Sequence, residues 1–362
     1  MIPLARRDHL FALSLLPFLS PARKRKLLAE IAAENIASTD PALIARALSI
    51  SLQEAELVRN PLTLPPIMET IERWRNDVVV LGDSDYPRQL TEICDPPFAL
   101  FLRGDRRLLE KPAIAVVGSR RASPYGINAA RRIASDLAGV DAAIVSGMAR
   151  GIDAAVHDEA LRRSAPTIAV LGTGIDVAYP REHRALHQRI AAEGLLITEL
   201  PPGSPPKREH FPVRNRIIAG LSMAVIVVEA GERSGSLITA RLACEEGREV
   251  LAVPGSVFSA GSVGVHRLIQ QGAKLYHGIE DLLEEIPSLA RQQVEKSEGE
   301  DLGPELASVL ELFSRDEPVH LDQIALSSGI GLSDLVMRVL ELELRGDLIA
   351  LPGSRYIRGT SG

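Results

Sequence analysis

The central part of the chain alternates between short apolar segments and longer segments with helical periodicity. The apolar segments recur at intervals of about 25 to 30 residues and read as strands. Strands that are apolar on both faces and alternate with helices are typical of a parallel sheet covered by helices on both sides. The pattern therefore predicts a doubly wound, mostly parallel α/β fold of the extended Rossmann-like type. The predicted strands are residues 114–118, 142–147, 167–172, 195–199, 224–230 and 250–255.

Shorter patterns on either side of this core complete the predicted domain organisation. The first part of the chain shows short helical segments, and Asp40 with Pro41 is typical of a helix cap and first turn. After a polar linker, three helical segments and a hairpin follow in the order of a winged helix. The predicted divisions are a helical N-terminal domain (1–66), a Rossmann-like domain with its entry segment (67–286), a linker (287–303) and a winged-helix domain (304–362).

Composition and length are those of a globular protein with more than one domain. A chain of 362 residues exceeds one ordinary core, and 46% apolar with 24% charged residues is typical of this class. The two cysteines, Cys94 and Cys244, belong to no CxxC or Cys/His cluster, which argues against a disulfide framework and against a zinc site. We therefore expect no metal ion.

The N-terminal stretch MIPLARRDHLFALSLLPFLS places two arginines ahead of an apolar run, as a signal peptide does. Asp8 interrupts the run, Pro17 breaks it, and no small-residue cleavage site follows, so a helix is the better interpretation. No apolar run reaches the ~18 residues of a membrane span. The expected location is the cytoplasm, without membrane attachment.

One strand-turn-helix segment, IVSGMARGIDAAVH (144–157), carries the features of an anion site. A strand that breaks at a small residue and continues as a helix aims free N–H groups and the helix dipole at one point. Arg150 adds a positive charge, and we expect Asp153 to hold its guanidinium in a fixed orientation. The alternative is that the glycines only allow strand and helix to pack closely.

Glycine or serine turns with arginine or lysine recur after nearly every predicted strand. The carboxyl ends of parallel strands meet at one edge of the sheet, where ligands of this fold class bind. In the first turn, Ser123 predicts a helix start at which Ser119 and Arg120 could surround an anion. Although the chain has a net charge of −6, residues 113–280 contain 19 Lys and Arg against 16 Asp and Glu. These turns together predict a site for an extended polyanion or a nucleotide.

The familiar nucleotide and hydrolase motifs are absent from the sequence. The first turn lacks GxGxxG, and neither a GxxxxGK[ST] phosphate loop nor a GxSxG nucleophile elbow occurs. Glu199 and Glu229 end strands near the predicted site and could act as acid and base. Alternatively they could pair with Arg214 or Arg216, which is favoured because no nucleophile or metal cluster stands beside them. His157 is interpreted as a packed or capping residue.

The turn motifs, taken together, resemble those of the bacterial DNA-processing protein family, DprA or Smf. The resemblance covers residues 70 to 280 closely, and the two ends of the chain match the family in arrangement only. The upstream segment YPRQLTEICDPPFALFLRG (86–104) resembles the family's entry segment. The matching motifs are GSRRASPYG (118–126), SGMARGIDAAVH (146–157), GTGIDVAYP (172–180), FPVRNRIIAGLS (211–222), SGSLITARLA (234–243) and PG (254–255).

The resemblance implies a non-catalytic binder of single-stranded DNA that acts in natural transformation and recombination. Such proteins protect incoming strands, help to load the RecA recombinase and work as dimers; the single-strand-binding protein is a further candidate partner. No cofactor is expected. The residues expected to contact DNA or its phosphates are Gly118, Ser119, Arg120, Ser123, Arg150, Arg181, Lys207, Arg214, Asn215, Arg216, Ser234 and Ser236.

The sequence departs from the family pattern at two places. The late motif reads GVHRLI (264–269) where the family usually has glycine, any residue and asparagine, and LLPFLSPARKRKLL lacks the glycine hairpin of a helix-hairpin-helix. An alternative function is a nucleotide phosphoribohydrolase that uses Glu199 or Glu229 on a nucleoside monophosphate. An enzyme of that class is expected to have a PGGxGT-like loop, whereas this chain has SGSLITA.

The predicted winged helix is acidic. Residues 303–362 contain five Arg and nine Asp or Glu, and Arg338 is the sole basic residue of the predicted third helix before Arg345. A surface with this charge repels a polyanion. We therefore expect this domain to pack against or interact with protein rather than with DNA.

Overall fold

The computed structural model describes residues 4–140, 142–290, 303–314, 318–345 and 347–358. The described residues divide into two compact units, one within Met1–Gln292 and the other within Gln293–Gly362. The first unit begins with α1 (Leu4–Ser14), α2 (Pro21–Glu30), α3 (Pro41–Leu48), α4 (Leu52–Arg59) and α5 (Pro65–Trp74).

Local sequence signals explain where these first helices begin. The Ser20 hydroxyl accepts a hydrogen bond from the Arg23 N–H at the start of α2. Asp40 caps α3 through the Ala42 N–H, with proline at the first helical position, as the sequence predicts. Each cap satisfies an N–H group that the helix itself leaves without a partner.

The rest of the first unit alternates strands with helices. The entry segment contains β1 (Val78–Val80), α6 (Arg88–Thr91) and β2 (Ala99–Gly104). The core contains β3 (Ala113–Val117), α7 (Pro124–Ala138), β4 (Ala143–Ser146), α8 (Ile152–Arg162), β5 (Thr167–Val170), α9 (Arg184–Glu193), β6 (Leu195–Thr198), α10 (His210–Leu221), β7 (Ala224–Val227), α11 (Ser236–Glu245), β8 (Glu249–Ala252), α12 (Val263–Gln270), β9 (Lys274–Leu275), α13 (Ile279–Glu285) and α14 (Pro287–Ala290). Short 3-10 helices occupy Ala33–Ser38, Pro61–Thr63, Arg106–Glu110, Arg181–His183 and Ala260–Ser262.

Nine strands form one sheet in the described part of this unit, in the order β1-β2-β6-β5-β4-β3-β7-β8-β9. Neighbouring strands from β6 to β9 run parallel, and β2 and β1 add two antiparallel pairings at one edge. The chain winds outward from β3 to β6 and then returns to place β7 on the other side of β3. The predicted doubly wound sheet is therefore present, with its topological switch point between β3 and β7.

Strand β3 shows why the central strands are apolar on both faces. Its Ala115 and Val117 side chains pack under α10 and α11, whereas Ile114 and Val116 pack under α7 and α8 on the opposite face. Alternate residues of a strand point to opposite faces, so a strand covered on both sides needs apolar residues at every position.

The N-terminal helices pack on the sheet near its β1 edge. Phe11 of α1 and Trp74 of α5 both contact the Phe101 ring of β2 edge to face, with ring centres 5.6 and 5.9 Å apart respectively. Such pairs stabilise by about 0.5–1.5 kcal/mol beyond the area that they bury. Residues 4–66 and the entry segment thus share one hydrophobic cluster, and the domain boundary at residue 66 stays a prediction.

The second unit is a winged helix. Its elements are α15 (Pro304–Leu310), β10 (Val319–His320), α16 (Leu321–Ser328), α17 (Leu332–Arg345), β11 (Leu348–Leu351) and β12 (Arg355–Arg358). The strands β11 and β12 form the predicted hairpin, and the short strand β10 pairs with β12 on its other side. Phe313, Leu335, Val339 and Leu342 lie in the small core of the unit.

Candidate nucleic-acid interface

A cleft opens at the carboxyl edge of the sheet, at the switch point between β3 and β7. It encloses about 1600 Å³, including its open mouth. Its walls are the turns after β3 and β7, the start of α11, and the loop that leads into α10. Ligands of open α/β sheets bind at this position.

Positive charge dominates the cleft. Among the described residues, the acidic side chains that line it are Asp153, which is buried, and Glu232, which pairs with Arg267 at 2.8 Å. Except for Arg214, the lining arginines are exposed, and in the described part of the chain none of these exposed ones forms an ion pair. They are therefore available to an anionic ligand. The lining arginines are Arg120, Arg121, Arg208, Arg214 and Arg233.

Arg120 holds a defined position above an aromatic side chain. Its guanidinium carbon lies 5.2 Å from the centre of the Phe211 ring, within the range of a cation–π contact. Phe211 in turn lies against Tyr179, with 5.4 Å between the ring centres. Together with Arg150, these three residues also line a smaller depression beside the cleft. A positive group on an aromatic floor is the combination that single-strand binders use.

The turn after β4 is stabilised from within by Asp153. One oxygen of this carboxylate accepts the backbone N–H groups of Gly147 and Ala149, at 3.2 and 3.3 Å. Burial raises the pKa of Asp153, although the positive charge of Arg214 opposes this shift. The prediction that Asp153 orients Arg150 is therefore wrong, and these N–H groups are not free to bind an anion.

Gly151 is required where this turn meets the turn after β3. Its φ of +74° is in the left-handed region, and a Cβ atom at this position would overlap the Ser119 carbonyl oxygen. The Ile152 N–H donates to the same carbonyl at 3.2 Å. The two turns are thereby joined directly, which agrees with the alternative role of the glycines, close packing of strand and helix.

Arg150 pairs with Glu182, and both side chains are exposed to solvent. A phosphate can compete with such a pair because exposed ion pairs contribute little to stability. Arg181, also exposed, lies beside Glu182 but lines neither the cleft nor the depression. Arg150 therefore lies at the margin of the predicted interface, and Arg181 lies outside the cleft.

Arg214 is a buried cation beneath the cleft. It is 5% exposed, and its guanidinium donates to the carbonyls of Gly147, at 3.0 Å, and of Val170. Burial lowers its pKa to about 10, so it stays charged at neutral pH. The residue ties the ends of β4 and β5 together and adds positive charge to the cleft floor. A strand would meet this charge rather than the side chain itself.

Ser123 caps helix α7 and binds Glu229, rather than forming the predicted phosphate contact. Its hydroxyl caps α7 by accepting the Gly126 N–H at 3.1 Å, while its own N–H and O–H donate to Glu229 at 3.0 and 2.7 Å. The prediction that Glu229 pairs with an arginine is also wrong, because its carboxylate accepts hydrogen bonds from Ser123 instead. Ser119 and Gly118 do line the cleft.

Arg216 lies away from the cleft, contrary to the prediction. It donates to Glu199 at 2.6 Å in a buried ion pair, and this part of the prediction for Glu199 is confirmed. Lys24 of α2 is buried in the same region, and burial lowers its pKa while Glu199 opposes the shift. Arg216 therefore belongs to the contact between the N-terminal helices and the sheet.

The turn after β7 contributes hydroxyl groups to the cleft. Ser234 and Ser236, both predicted, line it with their hydroxyls 2.8 Å apart. Asn215 lines the opposite wall and bridges the two sides, accepting from Arg214 and donating to the Gly235 carbonyl. The first residues of α11 line the cleft, so the positive end of the helix dipole lies there, and no side chain caps it.

Three lining arginines are absent from the predicted set. Lys207, which is predicted to contact DNA, does not line the cleft, whereas its neighbour Arg208 does. The other two are Arg121 and Arg233. Each stands beside a predicted residue in the same turn, so the available signal was the turn itself rather than any single position.

The remaining candidates for chemistry have structural roles. His157 is fully buried, its Nδ1 lies 2.8 Å from the Thr167 hydroxyl, and burial lowers its pKa to about 3. It is a packed neutral residue, as predicted. No cluster of three or more metal-ligating side chains occurs among the residues that the structure describes. Within the same residues, every helix is too short or too polar to cross a bilayer.

The fold and the cleft define a doubly wound α/β protein with an arginine-lined edge and a separate winged-helix unit. Residues 77–287 match the family model for DNA recombination-mediator protein A, and residues 293–354 match the DprA winged helix domain. The chain belongs to this DprA/Smf family.

Relatives in several bacteria support this assignment. The chain is 49% identical to DNA processing protein DprA of Streptococcus pneumoniae over 204 residues, which cover 56% of this chain and 72% of that protein. It is 41% identical to protein Smf of Escherichia coli over 291 residues, 78% of either chain.

Two solved structures resemble the fold. The X-ray structure of DprA from Streptococcus pneumoniae has a TM-score of 0.69 at 38% identity, covering 79% of this chain and 99% of that one. DNA processing protein A from Helicobacter pylori, whose structure describes a single-stranded DNA binding mode, has a TM-score of 0.53 at 30% identity. That match covers 58% of this chain and 96% of the other.

Proposed function

We propose that this protein binds single-stranded DNA in the cleft between β3 and β7, chiefly through its phosphates. The observation that carries this proposal is the set of exposed arginines that form no ion pair with any residue the structure describes, with Arg120 placed above Phe211. The single-strand binding of the Helicobacter pylori relative supports the same function here.

The chemistry of the cleft suits a flexible polyanion better than a small ligand. Guanidinium groups bind phosphates with paired N–H donors, and every nucleotide presents the same phosphate, so such contacts tolerate any sequence. The arginines stand on separate turns, after β3, before α10 and after β7. A single strand that passes through the cleft can touch them in succession.

The wider role proposed for the protein is that of a recombination mediator. Membership of the family supports a proposal that it protects incoming strands and helps to load RecA during natural transformation. Action as a homodimer, with the single-strand-binding protein as a further partner, belongs to the same proposal.

A binding function without catalysis is proposed because both candidate carboxylates serve as hydrogen-bond partners of side chains within the protein. Glu199 pairs with Arg216, and Glu229 accepts two hydrogen bonds from Ser123. The phosphoribohydrolase alternative instead requires one of them to act as an acid or base on a nucleoside monophosphate. Release of free base from nucleoside monophosphates by the purified protein would favour that alternative.

Binding is tested by fluorescence anisotropy with a labelled single strand and with its duplex, at several salt concentrations. We expect the single strand to bind more tightly and its affinity to fall steeply with salt. Arg241→Ala is a matched control, because Arg241 is exposed, pairs with Glu245 and lies outside the cleft. Equal affinity for strand and duplex would contradict the proposal.

A further inference from the structure

A second cavity lies beside the cleft, across the turn between β3 and α7. It encloses about 830 Å³, including its open mouth. We refer to it as the serine cavity; it is lined by Glu229, Tyr125 and the serines 123, 256, 259 and 262. Ser119 and Arg121 of the same turn line the cleft. A strand held in the cleft therefore passes within one turn of the serine cavity.

Glu229 is a buried carboxylate in this cavity. It is 6% exposed, and its Oε2 accepts both hydrogen bonds from Ser123. In the described part of the chain its Oε1 accepts none. A Cβ atom on Gly126 would overlap Oε2, and one on Gly261 would lie 2.5 Å from Oε1. The carboxylate is thus held from two sides in a slot that needs glycine at both positions.

One aromatic side chain lines the serine cavity, and a second stands on a loop that borders it. Tyr125 is half-exposed and donates to the Pro254 carbonyl at 2.5 Å. Phe258 is 96% exposed, on the loop between Ser256 and Ser259. An exposed aromatic ring beside a polar cavity is suited to stacking on a planar ligand with a polar edge.

We propose that the serine cavity takes one base of the bound strand and prefers bases that carry an amino group. This inference rests on the proposed single-strand binding. A carboxylate only accepts hydrogen bonds. Cytosine, adenine and guanine each carry an exocyclic amino donor, whereas thymine carries none. Glu229 therefore favours the amino bases, and Phe258 stacks on whichever base enters.

The test compares oligodeoxycytidylate with oligothymidylate of about 20 nucleotides on the full-length protein. Both are pyrimidine strands. Cytosine presents an amino donor where thymine presents O4, and the single N3–H donor of thymine lies between two carbonyl oxygens, which repel a carboxylate. We expect the cytosine strand to bind about fivefold more tightly, as one additional base contact provides. Equal affinities would overturn this inference and leave the proposed function intact, whereas absence of binding to either strand would contradict the proposed function.

Two variants test whether the preference for cytosine over thymine arises in the serine cavity. Glu229→Gln keeps the shape of the side chain but adds a donor, so the ratio of the two affinities should fall to about one. Ser256→Leu, on the exposed loop, fills the cavity without altering the slot of Glu229 and should have the same effect. A preference that survives in both folded variants would overturn the proposal.

The stacking role of Phe258 is tested in the same assay. Phe258→Ala should weaken binding of the cytosine strand about fivefold, as loss of one base–aromatic stack does. Val257 is the matched control, because it is 78% exposed on the same loop, and Val257→Ala should leave the affinity unchanged. Unchanged affinity in Phe258→Ala would overturn the placement of the base.

Discussion

The guanidinium carbon of Arg120 lies 5.2 Å from the centre of the Phe211 ring, although the two residues belong to different loops. Arg120 follows β3, and Phe211 lies near the start of α10. Both side chains line the cleft, and the ring supports the guanidinium. The side chain loses less freedom when a phosphate arrives than an unsupported arginine would.

Arg120→Ala should weaken single-strand binding by about the same factor for all base compositions. The reason is that the lost contact is to a phosphate, and the slope of log affinity against log salt should flatten by roughly one unit. Titration of thymine and mixed-sequence strands at several salt concentrations measures both quantities. A loss that depends strongly on base composition would show that Arg120 contacts bases.

Asp153→Ala should destabilise the protein and thereby weaken DNA binding. The substitution leaves the Gly147 and Ala149 N–H groups without their acceptor. It also removes the negative charge that stabilises the buried positive charge of Arg214. The expected loss in the free energy of unfolding is about 2–4 kcal/mol, measured by urea denaturation.

Glu182→Ala is the control for this experiment. Its carboxylate is exposed and pairs with Arg150 at the surface, so its removal should leave stability nearly unchanged. If Glu182→Ala proved the more destabilising of the two variants, the role assigned to Asp153 would be wrong.

His157 should make the protein less stable in acid. Its pKa is about 3 in the folded protein and ~6.5 in the unfolded chain, so the unfolded state binds the proton first. The stability that this neutral residue contributes is complete above pH ~6.5 and is lost as pH falls toward about 3. The slope from this residue approaches ~1.4 kcal/mol per pH unit.

Urea denaturation of the wild type and of His157→Gln at several pH values isolates this contribution. The glutamine does not titrate, so the variant should show a shallower fall in stability between neutral and mildly acidic pH. Parallel curves for the two proteins would mean that other groups cause the acid sensitivity.

The sheet could be predicted because its signal is local. Each residue of β3 is apolar, since alternate residues pack under helices on opposite faces, and this leaves a continuous apolar segment in the sequence. The caps of α3 and α7 are equally local, because Asp40 and Ser123 bond to N–H groups two and three residues away. The short strand β2 was missed, since Pro96 and Pro97 precede it and suggested only a turn.

The partners within the site could not be predicted because they depend on contacts between distant segments. Glu229 meets Ser123 across 106 positions of the chain, and no local pattern distinguishes this bond from an ion pair with an arginine. Arg216 is buried and pairs with Glu199, and Lys24 of the distant helix α2 interacts electrostatically with both. Arg150 and Asp153 are close in the sequence, but the Asp153 carboxylate accepts backbone N–H groups of its own turn, in which Met148 and Gly151 have positive φ.

The winged helix has a surface that is unsuited to DNA. Arg338 of α17 is paired with Glu305 at 2.9 Å and is therefore not free to meet a phosphate. The exposed side of α17 carries an apolar stripe of Leu332, Val336, Met337 and Leu340, with acidic residues beside it. Such a stripe is typical of a protein contact.

A chain that ends at Glu300 should therefore bind single-stranded DNA within about threefold of the full-length affinity, a difference under ~1 kcal/mol. The cleft arginines all lie in the first unit, and the acidic unit that is removed would if anything repel the strand. Anisotropy titrations of both proteins, with the oligomeric state measured by light scattering, provide the comparison. A loss of tenfold or more at unchanged fold and oligomeric state would show that the winged helix contacts DNA despite its charge.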